Sequence, residues 1–263
     1  MKFLKKSARR RERSPRDPND EQELARDEAF YGVDNLATLD ASGLMKVLMI
    51  HRAHLIYARL STIGKRYSML HPDLLTLLYY LAKHGDGNVL EIGPFVGGST
   101  MAAAIGLSER SRPPKFVTVE KGGKLRHPRL ASRDIVRDLR QNLLDHGLAH
   151  FVHVVVGWSL GDETVKAVRA YLPPRSVNLF IVDADGEVRS LLDRYHELLT
   201  DHCWLVIDDY FATGVATAKS ALTKPQIDAA IATEELEELG CYGWGTWVGK
   251  WHRASRHNRR EHT

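Results

Sequence analysis

The stretch Val89–Thr100 reads VLEIGPFVGGST and is the part of the sequence that is most informative about the fold. Its first four residues are mostly apolar and predict a short buried strand. The turn that follows contains Gly93, Gly97 and Gly98. Glycines at these positions allow a tight turn and a close approach of the backbone to a ligand before Thr100 enters a helix. Strand, glycine-rich turn and helix in this order predict a site for a nucleoside ligand.

Apolar segments and helical patterns alternate along the rest of the chain. The predicted strands are Val89–Ile92, Lys115–Val119, Phe151–Val156, Val177–Val182 and Cys203–Ile207. Stretches long enough for crossover helices separate them, which predicts a parallel sheet covered on both faces. Residues 232–251 read as two more strands joined by a Gly-containing turn. We therefore expect an α/β fold, Rossmann-like and doubly wound, with a mostly parallel seven-stranded sheet and a C-terminal antiparallel hairpin.

The residues before the first strand predict a helical cap. Apolar positions recur at helical spacing over residues 41–60 behind Asp40, a candidate cap residue, and a second helical pattern over 71–84 has Pro72 in its first turn. The N-terminal residues are charged and nearly free of apolar side chains, which is typical of disorder. The expected organisation is a disordered basic tail over 1–20, a cap over 21–84, the sheet domain over 85–251 and a basic tail over 252–263.

The net charge of +4 is unevenly distributed. Residues 1–16 carry +7 and residues 250–263 carry +4, so the segment between them carries −7. An acidic body with basic ends argues against a folded groove that reads DNA or RNA, although the ends can attract polyanions weakly. We expect a small-molecule substrate rather than a nucleic acid.

Cysteine content and hydropathy bear on the compartment. Cys203 and Cys241 both lie in apolar runs, so no disulfide is expected and a reducing compartment fits. No apolar stretch approaches the roughly 18 residues of a membrane span, and the first residues lack the apolar core of a signal peptide. The Arg-rich start faintly resembles an organelle transit peptide, but the acidic residues from Asp17 onward oppose that interpretation. We expect a cytoplasmic protein.

A carboxylate ends the second predicted strand. Glu120 lies 27 residues after Gly93, where a carboxylate can accept hydrogen bonds from both hydroxyls of a ribose. The alternative is a strand-end glutamate that faces solvent. The glycine spacing is GxxxGG and differs from the GxGxxG of dinucleotide enzymes, which argues against NAD.

These residues resemble a known family. LEIGPFVGGST and VTVEKG resemble motifs I and II of the class I S-adenosylmethionine (SAM)-dependent methyltransferases. The stretch from His71 to Asp209, about half of the chain, resembles the cation-dependent O-methyltransferases of the catechol and caffeoyl-CoA type and the sugar O-methyltransferases of antibiotic pathways. The residues that the resemblance implies for SAM binding are Glu91, Gly93, Gly97, Gly98, Ser99, Glu120 and Asp183.

The resemblance also implies a metal site at the ends of two strands. FIVDADG at 180–186 and LVIDDY at 205–210 place Asp183, Asp208 and Asp209 at the positions of the metal ligands. Three carboxylates brought together repel one another unless a cation or a basic partner compensates them. Mg²⁺ suits such oxygen ligands and can accept two substrate hydroxyls, which predicts a vicinal diol or a catechol as the acceptor. Asp209 departs from the Asn of the catechol type.

The general base is predicted to be Asp185, with Asp183 as the second catalytic residue. The catechol type often has a Lys three residues after the first ligand, where this chain has Gly186. The sugar-modifying relatives resemble this chain in having an Asp two residues after the first ligand. The departure favours a polyol or sugar hydroxyl over a catechol. The competing interpretation is that these aspartates cap helices or turns.

The residues after the third strand allow two interpretations. Trp158 and Ser159 follow Gly157 where enzymes of this family contact the adenine, and the indole can stack on that ring. Packing of Trp158 in the core is the alternative. Residues 157–161 also match GxSxG, which would make Ser159 the nucleophile of a hydrolase. A hydrolase needs a histidine after the acid, and the histidines beyond Asp208 all lie near the basic C-terminal end.

Two alternatives to an O-methyltransferase remain open. A SAM-binding protein without catalysis would use its basic tails to dock an acidic partner. A metal-independent N-methyltransferase would transfer the methyl group to nitrogen. The exposed face of the cap helices is a candidate surface for a homodimer.

Overall fold

A seven-stranded sheet organises the residues that this computed structural model describes, which are 17–211 and 218–253. The strands are β1 (Asn88–Ile92), β2 (Phe116–Glu120), β3 (Val152–Val156), β4 (Val177–Val182), β5 (Leu199–Ile207), β6 (Leu236–Tyr242) and β7 (Thr246–Trp251). Their order across the sheet is β3-β2-β1-β4-β5-β7-β6, with β1 to β5 parallel and β7 antiparallel to both of its neighbours. The predicted fold class and the C-terminal hairpin are confirmed.

Helices cover both faces of the sheet. They are α1 (Pro18–Phe30), α2 (Ala41–Arg52), α3 (Leu55–Tyr67), α4 (Pro72–His84), α5 (Gly98–Ser108), α6 (Ile135–Asp145), α7 (Asp162–Tyr171), α8 (Val188–Tyr195) and α9 (Ala218–Ile231), with a short 3₁₀ turn at Leu36–Thr38. None of these described helices has the length and the apolar composition needed to cross a membrane.

The alternation of side chains along each strand builds two cores. Val89 of β1 packs with α1–α6 on one face, whereas Leu90 and Ile92 pack with α7, α8 and α9 on the other. Both sets are buried, because successive residues of a strand point to opposite faces of a sheet that is covered on both sides. The N-terminal helices therefore share a hydrophobic core with the sheet.

The helix predicted over residues 41–60 is wrong in one respect, because two helices occupy the N-terminal segment in its place. α2 ends at Arg52 and α3 begins at Leu55, with His54 extended between them. The His54 ring lies 3.2 Å from Asp20 and 3.1 Å from Asp27, both of which belong to α1. Tertiary contacts with α1 thus favour a break that the continuous apolar periodicity does not reveal.

The first described helix begins inside the segment predicted to be disordered. α1 starts at Pro18 behind Asp17, whose side chain accepts a hydrogen bond from the Asn19 backbone amide. Proline at the first helical position and an aspartate cap are both favourable for a helix start. The remaining residues of the predicted N-terminal tail, 1–16, and most of the predicted C-terminal tail, 254–263, lie outside the described part of the chain.

Candidate active site

The glycine turn connects β1 to α5 at the carboxyl edge of the sheet. Gly93 and Gly97 have φ angles of 84° and 100°, which glycine adopts without strain. A Cβ atom at Gly93 would overlap the carbonyl oxygen of Asp183, and one at Gly98 would overlap Ser68. The turn is therefore packed tightly between the end of β4 and the junction of α3 with α4, and it leaves no space for side chains at these positions.

Glu91 fixes the glycine turn from inside the protein. Its carboxylate is 1% exposed and accepts hydrogen bonds from the hydroxyls of Ser99 at 2.6 Å, Thr100 at 2.7 Å and Thr118 at 2.7 Å. Burial raises the pKa of Glu91, and the three hydroxyl donors oppose that shift. These bonds join β1 to the first turn of α5 and to β2, so the predicted Glu91 and Ser99 are both engaged in holding the turn.

Glu120 lies at the end of β2, beside the glycine turn. Its carboxylate accepts a hydrogen bond from the Gly122 amide at 2.8 Å and interacts with the Phe95 amide of the turn. Burial raises the pKa of Glu120, which is 6% exposed, and the backbone donors lower it. The carboxylate is thus located where the sequence places it, at the strand end next to the turn.

The residues after β3 lie at the edge of the sheet, because β3 is an edge strand. Trp158 is 59% exposed, so packing in the core does not account for its position. Ser159 lies in the turn before α7, and its carbonyl oxygen accepts a hydrogen bond from Tyr195 at 2.6 Å. An exposed indole at this edge is available to stack on a planar ring.

The acidic cluster consists of Asp183, which follows β4, and Asp208 and Asp209, which follow β5. These three residues each offer one carboxylate oxygen within 4.8 Å of the others. Burial and the neighbouring carboxylates raise the pKa of Asp183 well above its usual range. The Thr246 hydroxyl of β7 donates to Asp208 at 2.5 Å. The parallel strands bring the three residues together as the sequence predicts.

Lys219, near the start of α9, is a residue of this site that the sequence does not predict. Its Nζ lies 3.4 Å from Asp209 and 3.8 Å from Asp183. Burial lowers the pKa of Lys219, but the two carboxylates outweigh this effect and raise it above its ordinary value. No motif connects this residue to the aspartates. The sequence signal was limited to a lysine in a helix that follows the fifth strand.

Asp185, two residues after Asp183 in the chain, forms an ion pair with Lys121. The Lys121 Nζ lies 2.9 Å and 3.2 Å from the two carboxylate oxygens of Asp185. Both side chains are 58% exposed. Lys121 follows Glu120 directly, so the pair links the loop after β2 with the loop after β4.

The donor set of the acidic cluster fits a hard divalent ion. Three carboxylates within a few ångströms are oxygen ligands of the kind that Mg²⁺ binds, usually together with water or substrate oxygens. The Cβ positions of Gly93, Gly97 and Gly98 are filled by Asp183, Leu139 and Ser68, so these glycines allow the turn to pack tightly at the start of α5. The backbone amides at the start of a helix are suited to contact a ligand.

Comparison with known proteins identifies the domain that contains this site. A family model described as a methyltransferase domain matches residues 90–210. The matched segment starts in β1 and ends just after β5, so it contains the glycine turn, Glu120 and the whole acidic cluster. Residues 90–210 therefore form a methyltransferase domain, and the resemblance noted in the sequence is confirmed. The protein is a SAM-dependent methyltransferase.

Solved structures of other methyltransferases share the fold of this methyltransferase. One is the O-methyltransferase from Bacillus cereus, solved in complex with S-adenosylhomocysteine (SAH). It is 18% identical to this chain, the match covers 89% of this chain and 100% of that chain, and the TM-score is 0.54. TomG from Streptomyces achromogenes, an O-methyltransferase involved in tomaymycin synthesis and solved with SAM, is 17% identical, with 89% and 98% covered and a TM-score of 0.53.

A third solved structure and the curated proteins were also compared with this chain. A Staphylococcus aureus structure assigned as a caffeoyl-CoA O-methyltransferase is 16% identical, with 79% of this chain and 98% of that chain covered and a TM-score of 0.58. At these identities the likeness establishes the fold. No curated protein matches the sequence of this methyltransferase significantly.

Proposed function

We propose that this methyltransferase transfers the methyl group of SAM to a hydroxyl of a small molecule, with the assistance of Mg²⁺. One observation carries the proposal. The glycine turn abuts the end of β4 so closely that Gly93 has no space for a Cβ beside the Asp183 carbonyl oxygen. A ligand on the turn and an acceptor at the acidic cluster would therefore be neighbours, as direct methyl transfer requires.

The residues of the turn and the adjoining strand ends would bind SAM. Backbone atoms of Gly93, Gly97 and Gly98 would lie against the ligand, and the Glu120 carboxylate would accept hydrogen bonds from the ribose hydroxyls. The exposed indole of Trp158 would stack on the adenine, and Ser159, the next residue in the chain, would also contact the cofactor. Glu91 would act through the turn, because its carboxylate is buried among three hydroxyls.

Asp183, Asp208 and Asp209 would hold Mg²⁺. When bound, the ion lowers the pKa of a coordinated hydroxyl and fixes its orientation. Asp208 is itself oriented by the hydroxyl of Thr246. Thr246, a residue of the C-terminal hairpin, would thus position Asp208 as a metal ligand.

The transfer needs one proton acceptor, and we assign this role to Asp185. The acceptor oxygen forms a bond to the methyl carbon while the carbon–sulfur bond breaks, so the sulfonium becomes a thioether and the hydroxyl proton passes to Asp185. The carboxylate is exposed, pairs with Lys121 and belongs to the loop after β4 that also contains Asp183. A base in hydrogen-bond reach contributes about 10²- to 10⁴-fold to such a reaction.

The acceptor class follows from the loop that contains Asp185. Gly186 stands where the catechol type often has a lysine, and its φ of 82° is a backbone conformation that a lysine would adopt only with strain. We therefore favour a polyol or sugar hydroxyl, with a catechol-like compound as the second candidate.

A methyl-transfer assay with isotopically labelled SAM tests the proposal. Purified protein would be incubated with sugars, polyols, catechols and amines, with Mg²⁺ or with a chelator. The proposal expects chelator-sensitive labelling of a hydroxyl compound. Chelator-insensitive labelling of an amine would favour an N-methyltransferase, and SAH binding without labelling of any acceptor would favour a SAM-binding protein without catalysis.

A further inference from the structure

Lys219 brings a positive charge to the acidic cluster. Its ammonium is 3.4 Å from a carboxylate oxygen of Asp209 and 3.8 Å from one of Asp183. The side chain is 44% exposed, so one side of it still faces water. Within residues 17–211 and 218–253, no other lysine or arginine forms an ion pair with these aspartates. Lys219 is therefore the local compensation for three neighbouring carboxylates.

The helix that carries Lys219 does not favour a cation at this position. Lys219 is the second residue of α9, and the amino-terminal end of a helix has a partial positive charge that repels cations. The first turn of α9 contains no acidic residue. The attraction that keeps the ammonium here thus comes from Asp183 and Asp209, on two other loops.

Gly186 allows α9 to approach the loop after β4. A Cβ at Gly186 would lie 3.2 Å from the Lys219 carbonyl oxygen and 3.3 Å from the Thr223 hydroxyl. Gln226 of α9 also donates a hydrogen bond to the Gly186 carbonyl oxygen at 2.8 Å. These contacts hold the start of α9 against the loop after β4 and so bring Lys219 to the acidic cluster.

We propose that Lys219 is the counter-ion of the acidic cluster in the metal-free protein, and that a divalent ion binds only by displacing the Lys219 ammonium from Asp183 and Asp209. The inference rests on the metal site of the proposed function. Carboxylates bind Mg²⁺ at about 2.1 Å, so the ion and the ammonium would compete for the same oxygens. Lysine has a flexible stem, and its half-exposed side chain can turn toward water.

Titration calorimetry with MgCl₂ and MnCl₂ tests the displacement directly. The full chain would be saturated with SAH and compared as wild type, Lys219→Met, Lys219→Arg and Lys224→Met. Lys224 is a matched control, because it lies on the same helix and pairs with Asp228 at 2.7 Å. Removal of the competing charge at position 219 should tighten Mn²⁺ binding about tenfold or more, whereas Lys219→Arg and Lys224→Met should stay within about twofold of wild type.

The outcomes separate this inference from the proposed function. Equal or weaker Mn²⁺ binding by Lys219→Met, or no divalent binding by any variant, would overturn the displacement. When Asp208→Asn is combined with Lys219→Met, the gain in Mn²⁺ affinity should be lost. That loss would show that the gain arises at the acidic cluster. Thermal unfolding and SAH binding report whether each variant is folded, and Lys219→Gln replaces Lys219→Met if the latter is not. Tighter metal binding without methyl transfer to any hydroxyl would contradict the proposed function alone.

Discussion

The carboxylate of Glu91 and those of the acidic cluster lie near the carboxyl ends of the parallel strands and are stabilised in different ways. Glu91 is fully buried and its partners are three neutral hydroxyls on β2 and α5. Asp183 and Asp209 of the acidic cluster are 22% and 28% exposed, and their partner is the ammonium of Lys219. Neutral hydroxyl donors in fixed positions suit the glycine turn, which must keep its shape. A lysine ammonium that can be displaced suits the acidic cluster, which is proposed to exchange ligands.

The difference predicts where substitutions act. Changes around Glu91 and the glycine turn should lower stability together with SAM binding, because they disturb packing and buried hydrogen bonds. Changes around the acidic cluster should alter turnover or metal binding, in either direction, while the fold remains stable.

The largest effect is expected at the glycine turn. Gly93→Ala should abolish SAH binding and lower the thermal unfolding temperature strongly, because its Cβ would overlap the Asp183 carbonyl oxygen. Gly123→Ala is the matched control, since Gly123 also has a positive φ, of 102°, but has no atom within 4 Å of its Cβ position. The control should lose about 1–3 kcal/mol of stability through backbone strain alone and keep its SAH affinity. Normal SAH binding by Gly93→Ala would refute this account of the turn.

Turnover should fall next most strongly at Asp185. Asp185→Asn should reduce the rate of methyl transfer about 10²- to 10⁴-fold, because an amide cannot accept the proton. The unfolding temperature should be unchanged, since the side chain is exposed. Asp228→Asn removes a comparably exposed carboxylate that pairs with Lys224 and should leave the rate unchanged. A rate for Asp185→Asn close to that of wild type would assign the base to another group.

A hydroxyl donor to Glu91 should contribute to stability. Thr118→Val keeps the shape of the side chain but removes a hydrogen bond to a buried carboxylate, at a cost of about 1–3 kcal/mol in the free energy of unfolding. Thr62→Val on α3 is the control, because its exposed hydroxyl bonds only to Ala58 of the same helix. Chemical denaturation measures both. Equal stability of the two variants would show that the hydroxyls around Glu91 are dispensable.

The smallest expected effect is a change in pH dependence at Glu91. Its pKa is raised above the ordinary 4.5, so the folded chain holds this proton more tightly than the unfolded chain. The tighter binding of this proton stabilises the folded chain. That contribution to the free energy of unfolding is complete below pH 4.5 and is lost as the pH rises through the raised pKa of Glu91. Denaturation of wild type and Glu91→Gln across this window should show a steeper decline for wild type. The exposed Glu163→Gln is the control, and identical slopes for wild type and Glu91→Gln would contradict the burial argument.

Much of the fold could be predicted from the sequence, because its strands are short apolar runs bounded by turn residues. Val177–Val182 was predicted to the residue, and the hairpin within residues 232–251 was found. The break at His54 could not be predicted, since it depends on Asp20 and Asp27 of α1. Apolar periodicity reports on burial and not on such polar contacts.

The site could be predicted only where its residues end strands. Asp183, Asp208 and Asp209 come together because parallel strands share an edge, which the alternation of elements already implies. Lys219 reaches them from a helix whose position depends on tertiary packing at Gly186. Thr118 and Thr246 looked like ordinary strand residues in the sequence, and only the strand register brings them to Glu91 and Asp208.

Titration calorimetry of the purified protein with S-adenosylhomocysteine, with and without Mg²⁺ and with NAD in parallel, tests whether the glycine turn is the SAM site. We expect S-adenosylhomocysteine to bind, NAD not to bind, and Mg²⁺ to change the affinity for S-adenosylhomocysteine. Binding of NAD, or no binding of S-adenosylhomocysteine by folded protein, would contradict the assignment of the glycine turn as the SAM site.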